Sequence, residues 1–208
     1  MTDLPTRLIH HPYHPPTGFD AVAPGVHKAS TVIFPDVQAL RNRDWKDKSG
    51  YTYGLHGTPT TFTLEERIAT LEGGRFCVLA PSGLSAISLV DMAFLRQGDQ
   101  VLLPDNAYGP GKAFAEVEMR QWGVQVGYYD PMDPADLDGR LTSSTRLVWL
   151  EAPGSITLEF PDLPALTDVV RRHNTALPAD RPAITVLDNT WGAGLAFNAF
   201  ELGVDVSM

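Results

Sequence analysis

Four segments of the sequence concentrate the residue types that bind ligands or act in catalysis. Glycine, serine, asparagine, aspartate and tyrosine are frequent in PSGLSA (81–86), DNAYGPG (105–111), EAPGSIT (151–157) and DNTWGAG (188–194). Each segment follows a short apolar stretch that is typical of a buried strand. If those strands are parallel, the four segments meet at one edge of a sheet, and we expect the chemistry of the protein at that edge.

The first of these segments could bind a phosphate group. Ser82-Gly83-Leu84 follows an apolar stretch and precedes a predicted helix, so its backbone amides and the helix dipole would present partial positive charge. Gly83 would let a phosphate approach the backbone closely. An ordinary tight turn explains the segment equally well. The segment has neither the GK[ST] ending of a P-loop nor the GxSxG pattern of a nucleophile elbow, and the dinucleotide-binding pattern GxGxxG is missing.

An acidic and an aromatic residue in two other segments could hold a flat ring. Asp188 directly follows the apolar stretch Ile184–Leu187, where it could cap a helix, bind a cation or pair with a protonated ring nitrogen. Tyr108 could stack on such a ring. Each residue alone is more often structural than functional. Together with a phosphate-type segment at the same edge, they favour a site for a flat, phosphorylated heteroaromatic cofactor.

Predicted strands and helices alternate along the chain and position these segments. Thr63-Leu-Glu-Glu66 is a capping box that predicts the start of a helix, and Gly73-Gly74 predicts its end. Further helices are predicted from Gly83 to about Arg96, from about Gly109 to Trp122 and over Pro164–His173, and strands over Phe76–Ala80, Gln100–Leu103, Val124–Tyr129, Arg146–Leu150 and Ile184–Leu187. Strands that are apolar almost throughout are typical of a parallel sheet covered on both faces, so the sequence predicts an α/β fold.

Residues 1–46 differ from the rest and are predicted to form an extended N-terminal arm that lies on another surface. They are rich in proline, show little periodicity and contain four of the six histidines; a short helix is expected near Asp36–Arg43. His10, His11 and His14 have no acidic or cysteine neighbours, so a loop is favoured over a metal site and no bound metal is expected. Residues 47–208 are predicted to form the ligand-binding domain.

Composition excludes several classes of function. The chain has 208 residues, 43% of them hydrophobic, and a formal net charge of −9 without a basic stripe, which argues against a nucleic-acid partner. No apolar run approaches the roughly 20 residues of a membrane helix, and the N-terminus lacks the pattern of a signal peptide. Cys77 is the single cysteine, predicted to be buried and inert within a strand. These features favour a cytoplasmic protein.

Four stretches of the chain resemble a known family, the Cys/Met-metabolism group of enzymes that depend on pyridoxal 5'-phosphate (PLP). The stretches are YGLHGTPTTFTLEERIATLEGG (53–74), APSGLSAISLVDMAFLRQGDQVLLPDNAYGP (80–110), LEAPGSIT (150–157) and DNTWGAGLAFNAFELGVDVSM (188–208). The resemblance implies an aspartate-aminotransferase-like fold (PLP fold type I) with an arm, a large PLP-binding domain and a smaller C-terminal domain. It also implies a small sulfur amino acid as substrate and a homotetramer, a dimer of dimers that share active sites.

The resemblance assigns roles to five residues. The backbone amides of Gly83 and Leu84 would bind the phosphate of PLP, and Asp188 would bind its ring nitrogen. Tyr108 would stack on the ring and assist at the leaving group, which makes it the catalytic residue expected in this chain. Tyr53 would reach across the dimer to the phosphate bound by the neighbouring subunit.

One position departs from the family pattern. Tyr53-Gly54 is followed by Leu55 and His56, whereas the family commonly has an arginine in place of Leu55 that contacts the phosphate. A leucine cannot neutralise a phosphate. His56 could partly substitute, cofactor binding could rely on amides and hydroxyls, or His56 could be a loop residue that only packs.

Two details resemble the cystathionine β-lyase branch of the family. The acidic strand end is followed by Ala-Pro-Gly-Ser-Ile-Thr157, where enzymes acting at the γ carbon usually carry an Asn-Pro pair, and Trp191 stands where they tend to have phenylalanine. The implied reaction is β-elimination of cystathionine to homocysteine, pyruvate and ammonia. The alternatives are a γ-acting relative, such as cystathionine γ-synthase, cystathionine γ-lyase or methionine γ-lyase, and a non-catalytic fragment.

The chain is expected to lack the lysine that forms the Schiff base with PLP. Its lysines are Lys28, Lys46, Lys48 and Lys112. None follows Asp188, and the resemblance places the lysine about five positions beyond Met208. The arginine that binds the substrate carboxylate would belong to the C-terminal domain. We therefore expect this chain to be the N-terminal part of the enzyme and to be inactive alone.

Overall fold

A computed structural model describes residues 22–45, 48, 50–176 and 181–208. The chain divides into two compact units, residues 1–63 and 64–208. The predicted boundary after residue 46, between the arm and the ligand-binding domain, stays a prediction. The three clustered histidines, His10, His11 and His14, lie outside the described residues.

The described part of the first unit contains the short helix that the sequence predicts. Helix α1 spans Val37–Arg41, and the Asp36 side chain caps it by accepting a hydrogen bond from the Ala39 amide at 2.7 Å. Residues 22–35 have neither helix nor strand. The Gly54 amide donates to the Ser30 carbonyl at 2.7 Å and holds this extended stretch against the turn that contains Tyr53.

Helix α2 spans Pro59–Glu72 and begins five residues earlier than the capping box predicts. Proline is favoured at the first helical position, and the Thr58 hydroxyl accepts a hydrogen bond from the Thr61 amide at 3.3 Å. Thr63 lies inside the helix, where its hydroxyl donates to the Pro59 carbonyl at 2.6 Å. The prediction that Thr63 starts the helix was wrong because Thr58-Pro59 supplies the start signal upstream.

Five parallel strands form the sheet of the second unit. They are β1 (Gln100–Pro104), β2 (Gln125–Tyr129), β3 (Thr145–Glu151), β4 (Ile184–Asp188) and β5 (Val206–Ser207). Their order is β2-β1-β3-β4-β5 and every pairing is parallel, so the α/β prediction is confirmed. The chain leaves β1 toward one edge and returns to β3 on the other side. This reversal makes a switch point between β1 and β3, where α/β sheets bind ligands.

Helices cover both faces of the sheet. One face carries α3 (Gly83–Phe94) and α4 (Gly109–Phe114), which continues as a π-helical stretch over Ala115–Met119; the other carries α5 (Pro134–Arg140) and α6 (Leu163–Thr175). Side chains alternate between the faces along each strand. In β3, for example, Leu147 and Trp149 pack under α3 and α4, whereas Val148 and Leu150 pack under α5 and α6. A 3-10 turn at Phe200–Leu202 precedes β5.

The strand predicted at Phe76–Ala80 is absent, and this prediction was wrong. Phe76 and Val78 are 75% and 80% exposed, and the sheet order gives the segment no neighbouring strand. An apolar run becomes a strand only where a neighbour accepts its backbone hydrogen bonds. Cys77 is half-buried rather than buried, which corrects the second expectation for this segment.

The longest helix of the described residues, α2, has 14 residues. None of the helices in the described part of the chain combines the length and apolar character needed to cross a membrane.

Candidate functional site

Three strand ends bring Tyr108, Glu151 and Asp188 to one cavity at the switch point. Tyr108 follows β1, Glu151 ends β3 and Asp188 ends β4. We call these three residues the ring end of the site. The cavity volume is about 20 Å³, close to that of one water molecule. The residues therefore form a floor against which a flat ring could lie rather than a chamber that encloses one.

Strand alternation explains why the two carboxyl groups face the same cavity. Glu151 lies two residues after Trp149 on β3, so both side chains point to the face under α3. Asp188 has the same relation to Val186 on β4. Glu151 and Asp188 are also register partners across the β3–β4 ladder. Local strand geometry therefore places two carboxyl groups side by side.

Asp188 is 7% exposed, and Thr190 orients its carboxylate. The Thr190 amide and hydroxyl both donate to Asp188 Oδ1, at 3.1 and 2.6 Å. With Oδ1 fixed by two donors, Oδ2 is the oxygen suited to accept a hydrogen bond from a ligand. An oriented, buried carboxylate fits a cationic ring nitrogen.

Tyr108 stands at the start of α4 with a half-exposed side chain. Its backbone amide donates to Glu151 Oε2 at 2.9 Å, although the two residues are 43 positions apart in the chain. Lys112 also lines the cavity; its Nζ donates to the Asp105 carbonyl at 2.6 Å and lies 5.0 Å from the centre of the Tyr128 ring. Tyr108 is therefore held through its backbone, while 41% of the residue is exposed.

The loops after β1 and β3 are locked together around Tyr108. The Ser155 amide donates to the Asn106 carbonyl at 3.2 Å, and Asn106 Nδ2 donates to Thr157 Oγ1 at 3.0 Å. A side chain at Gly154 would place its Cβ only 2.3 Å from Asn106 Nδ2, so this close approach requires glycine. These contacts explain why two of the four ligand-type segments combine small and amide residues.

Glu151 is the functional candidate that sequence reasoning missed. It is 4% exposed. Burial raises the pKa of Glu151 to about 7; hydrogen bonds from the Tyr108 amide and the Ser155 side chain oppose this, and the neighbouring charge of Asp188 adds to it. A usable signal was present in the sequence: like Asp188, Glu151 directly ends an apolar strand.

Ser82, Gly83 and Leu84 are the residues at which the sequence predicts a phosphate site, and we call them the phosphate end. Ser82 Oγ caps α3 by accepting from the Ser85 amide at 3.1 Å. Gly83 and Leu84 are the first two residues of the helix, where backbone amides have no acceptor within the helix. A Cβ added at Gly83 would meet no atom within 4 Å, so an anion has open access. Helix α3 reaches the cavity through Ile87, one turn further along.

Buried hydrogen bonds support both ends of the site. Trp149 Nε1 donates to Asp91 Oδ1 at 2.9 Å and ties β3 to α3; burial raises the pKa of Asp91 to about 7, and the Trp149 bond opposes that shift. Glu72 accepts from Asn189 Nδ2 at 3.1 Å and from Ser207 Oγ at 2.9 Å. The residue next to Asp188 is thus tied to both α2 and β5.

The first unit contains Tyr53, whose contact with a neighbouring subunit remains a prediction. The Ser30 hydroxyl donates to Tyr53 Oη at 3.3 Å, and the His56 ring lies edge-on to the Tyr53 ring at 5.8 Å between centroids. His56 Nδ1 lies 3.0 Å from Thr52 Oγ1. Leu55 is 83% exposed. Among the described residues, no group of three or more His, Cys, Asp or Glu side chains could hold a metal ion.

Comparisons with known proteins identify the family of this chain. A family model described as Cys/Met metabolism PLP-dependent enzyme matches residues 5–208. Cystathionine beta-lyase MetC of Escherichia coli is 37% identical over 206 residues, which cover 99% of this chain and 51% of that protein. L-methionine gamma-lyase of Pseudomonas putida is 31% identical over 201 residues, which cover 97% of this chain and 48% of that protein.

A solved structure has a similar fold. The crystal structure of metB from Corynebacterium glutamicum matches with a TM-score of 0.79 at 25% identity, over 97% of this chain and 49% of that one. This likeness confirms the expected aspartate-aminotransferase-like architecture. The chain spans about half the length of the curated relatives it matches. Because the family model covers nearly all of its residues, the chain belongs to the Cys/Met-metabolism family of PLP-dependent enzymes.

Proposed function

We propose that the protein containing this chain cleaves carbon–sulfur bonds in sulfur amino acids, by β-elimination of cystathionine to homocysteine, pyruvate and ammonia. The observation that carries the proposal is the ring end: an oriented, buried Asp188 and a half-exposed Tyr108 at one cavity beside the switch point. Four proteins named as cystathionine beta-lyases, one of them as putative, are 31–39% identical, against 31% for a methionine gamma-lyase, and this favours the β-acting branch.

The donor set of the site fits PLP. Asp188 Oδ2 would accept from the protonated ring nitrogen, the Tyr108 ring would stack on the pyridine, and the Gly83 and Leu84 amides would bind the phosphate. When bound, PLP supplies an electron-withdrawing ring that stabilises negative charge at the substrate Cα.

The residues of this chain would then hold or transfer protons and shield the cofactor ring. Asp188 would keep the ring nitrogen protonated. The Tyr108 hydroxyl would give a proton to the departing sulfur, which leaves more readily as a thiol. The packed face under α3, with Trp149 and Ile87, would exclude water from one side of the ring.

A lysine that attaches the cofactor would come from elsewhere in the whole protein. Of the lysines described, Lys112 is the one that lines the cavity, and its Nζ is engaged with the Asp105 carbonyl and the Tyr128 ring. We propose that the 208-residue chain alone has no lyase activity. Borohydride reduction with PLP, followed by mass spectrometry, tests this: stoichiometric label on Lys28, Lys46, Lys48 or Lys112, together with pyruvate formation, would contradict it.

Product analysis tests the reaction itself. The intact protein, loaded with PLP and given cystathionine, should release pyruvate and homocysteine. Release of 2-oxobutyrate and cysteine would instead support a γ-acting enzyme, the second candidate, which the 31% identity to the Pseudomonas putida methionine gamma-lyase keeps open. PLP binding without turnover of any sulfur amino acid would leave only the non-catalytic alternative.

We further propose that the whole protein assembles as a homotetramer, a dimer of dimers with Tyr53 completing the neighbouring site. Exposed apolar side chains on the second unit support an additional contact surface: Phe76, Val78, Leu89 and Met92 are 75%, 80%, 47% and 49% exposed. Sedimentation velocity of the intact protein would give its mass. A monomer at micromolar concentration would contradict the proposal.

A further inference from the structure

Glu151 connects the two functional residues of the ring end. Its Oε2 accepts the Tyr108 amide at 2.9 Å, and its Cα is the register partner of Asp188. It is 4% exposed, and it lines the same cavity as both residues. One side chain therefore holds the backbone of the ring-stacking residue and faces the carboxylate that would pair with the ring nitrogen.

The hydrogen bond from the Tyr108 amide does not require an ionisable side chain as its acceptor. The neutral amide of a glutamine could accept from the Tyr108 amide equally well, without the cost of burying a charge. Not all of the charged groups around Glu151 favour its ionised form. Asp188 on β4 opposes it, whereas Lys112 on α4 faces the cavity with its Nζ turned to the Asp105 carbonyl. Asp91 on α3 is bonded to Trp149 and adds no positive charge.

We propose that Glu151 is a positioning residue that couples cofactor binding at Asp188 to the placement of the Tyr108 ring by losing one proton. Before binding, burial and the neighbouring Asp188 carboxyl group favour the protonated form of Glu151. When a cationic ring nitrogen pairs with Asp188, Glu151 releases its proton to solvent.

The consequence falls on Tyr108. An ionised carboxylate accepts a stronger and shorter hydrogen bond than a protonated one. The Tyr108 backbone is therefore held most firmly when the ring that it must stack on is present. The proposal rests on PLP as the cofactor and on Asp188 as its partner, but it does not depend on which carbon–sulfur bond is cleaved.

Proton-linked ligand binding tests the proposal without any measurement of turnover. The probe is 4'-deoxypyridoxine 5'-phosphate, which has the ring and phosphate of PLP but no aldehyde and so needs no lysine. Calorimetric titration of the apo form of the intact protein in buffers of different ionisation enthalpy counts the protons exchanged. Because binding relieves the contribution of Asp188 to the raised pKa but not that of burial, wild type should release at most about half a proton more per site at pH 7 than Glu151→Gln. This difference should vanish near pH 9.

Matched variants separate the coupling from a structural role. Glu151→Gln keeps an acceptor for the Tyr108 amide and should bind the probe within about threefold of wild type at pH 9, whereas Glu151→Leu should bind about tenfold more weakly. Glu118→Gln, an exposed change on the helical stretch after α4, should leave the proton count unchanged. An infrared difference spectrum of wild type needs no substitution and should show a protonated-carboxyl band that disappears when the probe binds.

The outcomes distinguish two failures. If wild type binds the probe with the same proton count as Glu151→Gln, or if the carboxyl band persists, the coupling is wrong while the cofactor site stands. If wild type does not bind the probe at all, the cofactor assignment at Asp188 and the coupling are both wrong.

Discussion

The ring end of the candidate site consists of side chains, whereas the phosphate end consists of backbone amides. At the ring end, side chains from three strand ends are held by named hydrogen bonds, such as those from Thr190 to Asp188 and from the Tyr108 amide to Glu151. At the phosphate end, Gly83 and Leu84 offer backbone amides, with open space around Gly83. The ring end should therefore depend on side-chain chemistry, and the phosphate end on backbone shape.

Asp188→Asn should have the largest effect, because it removes the charge on which the ring end depends. We expect loss of tight PLP binding and a fall in kcat/KM of about 10³-fold for the intact protein, since a neutral amide would not keep the ring nitrogen protonated. Absorbance of bound PLP and steady-state kinetics measure both effects. Asp162→Asn is the matched control, because it makes the same change at the cap of α6. Near-normal activity of Asp188→Asn would remove Asp188 from the site.

Tyr108→Phe should separate the two roles assigned to this residue. The phenyl ring still stacks, so PLP affinity should change less than threefold, whereas loss of the hydroxyl should lower kcat by about 10²-fold. PLP titration of the apo protein and the turnover number decide this. Tyr128→Phe removes a phenol on β2 outside the ring end and serves as control. Equal losses of affinity and turnover would contradict the catalytic half of the role.

The phosphate end follows a local pattern in the sequence, whereas the ring end depends on contacts between distant residues. A glycine after an apolar run and before a helix is a local pattern, and so were the four predicted strands that the structure contains. The contact between Tyr108 and Glu151 joins positions 43 apart, which no local pattern encodes. The sequence shows that Glu151 ends an apolar strand, but its closeness to Asp188 follows only from the register of β3 and β4.

The wrong predictions have the same origin. Phe76–Ala80 has the composition of a strand, but strand formation needs a neighbour, and the observed sheet supplies none. At α2, Thr58-Pro59 and Thr63-Leu-Glu-Glu66 are both valid local start signals, and the helix uses the earlier one. Local chemistry therefore predicts which elements are possible, and tertiary contacts choose among them.

Asp91→Asn tests whether the stability contributed by the buried Asp91 side chain, which is bonded to Trp149, depends on pH. Burial raises the pKa of Asp91 from 3.8 to about 7, so its contribution to stability is fully present below pH 3.8 and is lost as the pH rises through 7. An asparagine can still accept from Trp149 Nε1 and carries no buried charge. We expect the variant to gain about 1–3 kcal/mol relative to wild type between pH 4 and pH 8. Urea unfolding across that range measures it, and a pH-independent difference would contradict the assignment.

Gly83→Ala should have the smallest effect, and it discriminates between a phosphate site and an ordinary turn. Nothing lies within 4 Å of the added methyl group, so the helix should accept it and gain about 0.5 kcal/mol of stability. A phosphate bound to the amides would meet that methyl group, so PLP affinity should fall about tenfold. Leu84→Ala keeps the amide and should change affinity less than threefold. Gly139→Ala, an equally open glycine in α5, is the control for the change itself. If Gly83→Ala binds PLP as tightly as wild type while remaining folded, Ser82-Gly83-Leu84 is a tight turn, and the phosphate must bind elsewhere.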